Sequence, residues 1–164
     1  RSSGHGIGIV GDDQGRFAVY GTDQYPDATF SLRLSYGQVK GWSYRGVDVP
    51  PFTYMGGLFG RATGSDPFNA APRFLAAQDR INPITVYDFV STNDIIGGNS
   101  GSPLVNRDGE LVGLIFDGNR YSFVWDAIYE GERGRAVSVD SRAMIEALDK
   151  VYGADHLVVA LLGA

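Results

Sequence analysis

The chain has no cysteine among its 164 residues. That excludes disulfides, thiolate metal sites and a cysteine nucleophile. It leaves the compartment undecided, because many exported bacterial proteins also lack cysteine. Histidine is scarce: His5 and His156 are the two present, so any chemistry that needs an imidazole base has only those places to find one. Long apolar runs are missing too. The longest, Leu157 to Leu162, falls far short of the roughly 20 residues of a membrane helix, and no membrane partner is expected. Positive charge is the minority, with 14 Lys and Arg against 19 Asp and Glu, a formal charge of −5. A phosphate backbone is repelled by that balance, and no basic cluster overturns it, so nucleic acid is not an expected partner.

What is present suffices for one domain, since a chain of this length buries about two thirds of its unfolded surface without covalent staples. Residues 1–23 read as a flexible lead-in. Within it Gly6-Ile7-Gly8-Ile9-Val10-Gly11 matches the dinucleotide pattern GxGxxG in letters only. That motif needs a strand before it and a helix after it, whereas Arg1 to His5 precede and Asp12-Asp13-Gln14-Gly15 follow. Asp12 and Asp13 lack the spaced oxygen ligands of a calcium loop. No cofactor and no metal are expected. The chain opens on Arg1 with no basic-then-apolar leader, which points to a removed signal or to polypeptide upstream.

Residues 24–164 read as a sheet-rich domain. Thr29, Phe30, Leu32 and Leu34 alternate, Tyr36-Gly37 turns, and Val39 to Tyr44 returns, predicting a hairpin that Pro50-Pro51 ends. A helical insertion follows at about 56–81, with Pro72 at a helix start and Phe74, Leu75, Gln78 and Ile81 on one face. Strand patterns recur at Thr85 to Val90, Pro103 to Val105, Leu111 to Phe116 and Arg135 to Val139, with Asp108-Gly109 as a hairpin turn. Asp140 or Ser141 can cap a helix carrying Met144, Ile145, Leu148, Val151 and Tyr152, which Gly153 stops, and terminal helices are expected over about 141–162. The expected fold class is all-β dominated: one six-stranded antiparallel barrel, closed so as to remove sheet edges, with a helical insertion and a C-terminal helix.

The stretch that carries chemistry is Gly98-Asn99-Ser100-Gly101-Ser102-Pro103. A serine hydroxyl needs a base, a group that orients the base, and donors aimed at the developing oxyanion. Flexible glycines around Ser100 allow a tight turn in which the N–H groups of Gly98 and Ser100 converge on one oxygen. Losing one such donor typically costs about 10²–10³ in rate. The competing reading is a plain glycine-rich turn.

Residues from about Arg16 to Leu162 resemble the C-terminal portion of the bacterial periplasmic dipeptidyl-peptidases, serine peptidase family forty-six of the trypsin-like clan. The matching strings are Tyr25 to Leu34, Phe89-Val90-Ser91-Thr92-Asn93-Asp94-Ile95-Ile96-Gly97-Gly98-Asn99-Ser100-Gly101-Ser102-Pro103, Gly109 to Asn119, and Ser138 to Arg142. The resemblance implies a double β-barrel enzyme with an inserted helical domain that removes dipeptides from free N-termini through an acyl-enzyme, with Ser100 as nucleophile and a periplasmic or secreted location. It also implies that the catalytic His and Asp come from an N-terminal half, in a Thr-Asn-His-His type motif that this chain lacks. Asn99 takes the place of the aspartate that pairs with a new N-terminus in animal relatives. Phe116, Asp117 and Gly118 follow as the substrate-binding wall for the residue before the scissile bond. Gly118 leaves space for an apolar side chain where an arginine in related enzymes goes with acidic substrates; the alternative is that Asp117-Gly118-Asn119 is a turn ending a strand.

Neither His5, in the lead-in, nor His156, in a terminal helix, stands where the base for Ser100 belongs. Asp23, Asp27, Asp48, Asp88, Asp94, Asp126 and Asp140 could orient a base but read as turns and caps. Among the aromatic residues core packing is the default, and Tyr121 to Tyr129, bracketed by glycines, is the candidate exposed binding loop. The expected partners are peptide substrate, the missing N-terminal half and, through the apolar face left by it, a second copy. The alternative class is a non-catalytic binding or assembly module on the same fold.

Overall fold

The computed structural model describes residues 18–19 and 32–163; the lead-in at 1–23 apart from residues 18–19, most of Tyr25 to Leu34 and the boundary at residues 23–24 lie outside them. The first paired strands are β1 (Trp42–Tyr44) and β2 (Val47–Val49), joined by Arg45 and Gly46, which both have positive φ. A two-residue turn with that backbone matches the twist of the strands it connects. The hairpin therefore lies one strand later than the sequence pattern predicts. Residues 35–39 instead lie along the chain that follows Ser91: the Ser35 hydroxyl donates to the Asp94 carbonyl at 2.8 Å, Thr92 N–H to the Gln38 carbonyl at 2.9 Å, and Val39 bridges Ser91. Tyr36-Gly37 passes through this contact and is not a hairpin turn.

Pro50-Pro51 ends the β1–β2 hairpin as expected and leads into the second sheet. β3 (Phe52–Tyr54) follows at once, and the Pro51 carbonyl accepts from Val90 N–H at 2.9 Å. A proline is tolerated there because β3 is an edge strand. The insertion becomes α1 (Met55–Arg61), α2 (Pro72–Ala76) and a 3₁₀ turn over Gln78–Arg80, with Pro72 at the start of α2 as predicted. Strands β4 (Val86–Ser91), β5 (Pro103–Val105), β6 (Leu111–Gly118) and β7 (Ala136–Asp140) complete a five-stranded antiparallel sheet of order β3-β4-β7-β6-β5.

Among the described residues the fold is thus sheet-dominated, with two antiparallel sheets and a few helices, and the closed six-stranded barrel does not form. Closure needs every strand paired on both sides. Here β3 and β5 are three-residue strands at opposite edges that do not pair with each other.

Beyond β7 the Asp140 carboxylate accepts the Arg142 N–H at 2.9 Å and caps α3 (Ser141–Glu146), as its position predicts. The predicted single helix widens into a π turn over Ala147–Val151, Gly153 supplies the left-handed stop at φ 61, and α4 (Asp155–Leu162) ends the fold. Among the described residues no helix is long and apolar enough to cross a membrane. Two cores result. Met55, Ala77, Ile81 and Ala143 are buried between the helices and β4 with Phe59, Phe74 and Tyr87; Ile115, Trp125 and Ala136 are buried with Ile95 and Leu104 on the other side.

Candidate active site

Ser100 stands three residues before β5 begins. Gly101 N–H donates to the Ile115 carbonyl at 2.7 Å and Ile115 N–H to the Ser102 carbonyl at 3.0 Å, so β6 holds the turn from its C-terminal side. Asn99 holds it from within. Its side-chain oxygen accepts Ile96 N–H at 2.9 Å and its carbonyl accepts Ser102 N–H at 3.0 Å. Gly98 and Gly101 have φ of 91° and 86°, a region that side chains with a Cβ rarely occupy, which accounts for glycine at both positions.

The Ser100 side chain is exposed, and its hydroxyl makes only a long contact, 3.4 Å, to the Phe116 carbonyl. Among the described residues the N–H groups of Gly98 and Ser100 have no hydrogen-bond partner. An exposed hydroxyl beside two unengaged amide donors is the local equipment of acyl transfer.

The wall beside it is shaped by a bulge. In the pairing of β6 with β7, Ile115 faces Ser138 and Asp117 faces Val137, so Phe116 is an extra residue. Bulges re-aim a side chain and recur next to active sites. Phe116 is half exposed, the exposed Asp117 carboxylate accepts Gly118 N–H at 2.8 Å, and Gly118 pairs with Ala136. Asp117 and Gly118 are therefore strand residues, and the turn begins at Asn119. A groove of about 890 Å³ reaches Asn99 of this turn and lies between residues 33–38 and Thr92, Asp94, Arg107 and Tyr129.

Several residues that fix this wall carry no sequence signature of their own. The Asn119 side chain accepts the N–H groups of Tyr121 and Arg135, both at 3.1 Å, and donates to the Arg133 carbonyl at 2.7 Å. Arg135 is 1 % exposed. Its guanidinium donates to the carbonyls of Lys40, Gly41, Gly131, Glu132 and Gly134, tying the first hairpin to the 131–134 loop. Burial pulls its pKa below the ordinary arginine value. Burial would raise the Glu130 carboxyl, but the N–H groups of Gly134, Arg133 and Glu132 outweigh it and hold it below its usual range.

The 121–129 loop divides. Trp125 is buried and donates to the Glu130 carbonyl, and the Tyr129 hydroxyl donates to the Thr92 carbonyl, so both act as packing. Phe123 and Ile128, 78 % and 69 % exposed, are its free surface.

The remaining candidates lie elsewhere. His156 is exposed in the first turn of α4, which packs on the π turn, and it has no hydrogen bond or ion pair among the described residues. His5, Asp23 and Asp27 lie outside the described residues. Asp140 is engaged by Arg142 through two contacts, at 2.8 and 2.7 Å. Asp88, on β4 and separated from β6 by β7, lines a cavity of about 370 Å³ with Tyr54, Leu58, Arg61, Phe68 and Tyr87; burial, with the Asp140 charge adding to it, pushes its carboxyl up to about 6. No described acid is aligned on Ser100 by a hydrogen bond.

Residues 13–162 match the model of the peptidase S46 family. The chain belongs to that family. Peptidase S46 relatives include a dipeptidyl-peptidase 7 of Phocaeicola vulgatus, 35 % identical over 143 residues that cover 81 % of this chain and 20 % of the relative. Another is an Asp/Glu-specific dipeptidyl-peptidase of Shewanella putrefaciens, 34 % identical over 169 residues, 84 % of this chain and 23 % of its own length. Among solved structures, Porphyromonas endodontalis DPP11 in complex with the dipeptide Arg-Asp superposes with a TM-score of 0.74 at 26 % identity, covering 90 % of this chain and 23 % of that one. This S46 chain thus spans about a fifth of the length of the curated relatives it matches.

Proposed function

We propose that this chain is the nucleophile-bearing part of an S46 dipeptidyl-peptidase whose general base is supplied by polypeptide upstream. In this reading the Ser100 Oγ attacks the carbonyl carbon two residues from a substrate's free N-terminus, and its proton passes to a histidine of the upstream part. The N–H groups of Gly98 and Ser100 hold the oxyanion. The peptide C–N bond then breaks, the leaving amine takes the proton, and water hydrolyses the acyl-enzyme, releasing a dipeptide. Phe116, Asp117 and Gly118 form the wall for the side chain before the scissile bond. The observation that carries the reading is the exposed Ser100 hydroxyl, 3.4 Å from the Phe116 carbonyl, in a turn whose Gly98 and Ser100 amides have no partner among the described residues.

The upstream part also accounts for the exposed apolar surface. Leu32, Leu34 and Tyr36 are 104 %, 88 % and 88 % exposed, with Arg33 and Ser35 turned inward between them. That is a strand-like alternation with its apolar side uncovered. In the whole enzyme this side meets the first barrel of a trypsin-like pair, in a periplasmic or secreted setting; in the isolated chain it drives self-association.

The test is complementation. The chain alone should release dipeptides and react with a serine-directed phosphonate at a small fraction of a complete enzyme's rate, because the base is absent. Adding the upstream portion should restore dipeptide release. Tight association without release would instead favour a binding module. Phosphonate labelling of Ser100 in the isolated chain at the complete enzyme's rate would overturn the reading, as sedimentation showing only monomer at high concentration would overturn the self-association.

A further inference from the structure

On the helical side of the molecule, α1 and the chain that follows it leave a cavity of about 370 Å³ against β3 and β4. That is within the usual size of a small-molecule site, roughly 300–1,000 Å³. Leu58, Ala62, Pro67 and Phe68 make its wall largely apolar, and the lining carries one formal charge of each sign, Arg61 and Asp88. The two do not meet. Among the described residues no ion pair joins them. The exposed Arg61 guanidinium lies over the Phe68 ring, 4.6 Å from its centroid, while the half-buried Asp88 carboxyl is next to the Thr53 hydroxyl. An unpaired carboxylate in apolar surroundings is costly, and the Asp140 charge adds repulsion. A bound cation would relieve both.

Gly57 agrees with an open site. Its φ is not positive, so its backbone suits any residue, and glycine is a poor choice inside a helix. Yet it lines the cavity, and a Cβ there would meet no heavy atom within 4 Å. Its missing side chain leaves the space free.

We propose that this cavity is a binding site for a small zwitterion with an apolar body, a free apolar amino acid or a dipeptide with both ends uncapped. The ammonium group pairs with the Asp88 carboxylate, the carboxylate with the Arg61 guanidinium, and the apolar side chain lies against Leu58 and Phe68. Charge-assisted contacts at two ends fix the orientation. A simple amine would leave Arg61 unused, and a simple acid would be repelled by Asp88. The site stands apart from the chemistry at Ser100, because β7 separates the strand of Asp88 from β6. Its failure would leave that reading untouched.

Calorimetric titration of the 164-residue chain with leucine and with leucylleucine tests the site. At least one should bind, and which one does assigns the amino acid or the dipeptide. Asp88→Asn should weaken the binding compound by about tenfold, the order of one charged hydrogen bond, and leave its N-acetyl form unaffected. Arg61→Gln should do the same, with the carboxamide form as the insensitive one. Gly57→Leu, whose side chain enters open space, should abolish binding without lowering Tm, and so tests the cavity even if either charge variant fails to fold. Binding of neither compound overturns the proposal. So does binding that survives Gly57→Leu, or charge substitutions that weaken capped and uncapped forms equally.

Discussion

The two sides of the sheet are held together by different physics. On the helical side Met55, Ala77, Ile81 and Ala143 are almost fully buried, and polar contacts there include the Asp140 cap with its Arg142 pair and the Asn82 N–H donating to the Glu146 carboxylate. On the site side the buried apolar set is smaller, and order comes from side chains bonded to backbone: Asn119, Glu130 and Arg135 satisfy carbonyls and amides along a wall that has few regular hydrogen bonds of its own. The difference teaches where the Ser100 turn can stay open. The helical side stabilises by excluding water, while the site side fixes geometry and leaves Ser100, Phe116 and Asp117 exposed.

The sharpest way to break the comparison is to damage each side's own support. Met55→Ala opens a cavity in a fully buried position and should cost about 2–5 kcal/mol in denaturant unfolding, while phosphonate labelling of the complemented protein stays near normal below the melting range. On the site side, Arg135→Met leaves five carbonyls without their donors. It should cost on the order of 3 kcal/mol and, unlike Met55→Ala, raise KM for dipeptidyl substrates in protein that is still folded. Equal kinetic effects from both would erase the distinction.

Asp140→Ala comes next. It removes the cap of α3 and both contacts to Arg142 together, and the loss should be about 1–2 kcal/mol. Asn in its place retains a cap oxygen and should recover part of that in the same unfolding measurement.

How far the sequence reveals each side follows from the same contrast. Apolar periodicity and cap chemistry are local, so β4, β6 and β7, the Pro72 helix start, the Asp140 cap and the Gly153 stop are legible in the residues. The hexapeptide around Ser100 is legible for the same reason, because its glycines and proline mark the turn directly. Arg135 and Asn119 are not, because their partners are carbonyls of residues 40–41 and 131–134, and carbonyls leave no trace in side-chain identity. Among the described residues the barrel expectation fails through counting: the sequence pattern carries no sign of β2 and β3, which lie across Arg45-Gly46 and Pro50-Pro51, and the observed edges do not meet.

A pH titration sharpens the comparison further, because Asp88 is a half-buried carboxyl on the helical side. Its pKa is raised by burial, and then by Asp140, from 3.8 to about 6. The native state therefore binds more protons than the unfolded state between those values, and stability should fall as pH rises through that window. Solvent screening at a half-buried site reduces the loss to on the order of 1 kcal/mol. Asp88→Asn should flatten the slope, and an unchanged slope would place the titration elsewhere.

The smallest stability effect is expected where the chemical effect is greatest. Ser100 is exposed and makes a single contact of 3.4 Å, so Ser100→Ala should shift unfolding by no more than about 0.5 kcal/mol. It should also abolish phosphonate labelling and dipeptide release in the complemented protein. A drop of several kcal/mol would mean that the hydroxyl supports the fold, and would move Ser100 to the structural side of the contrast. Full labelling of the alanine variant would assign the nucleophile to another residue.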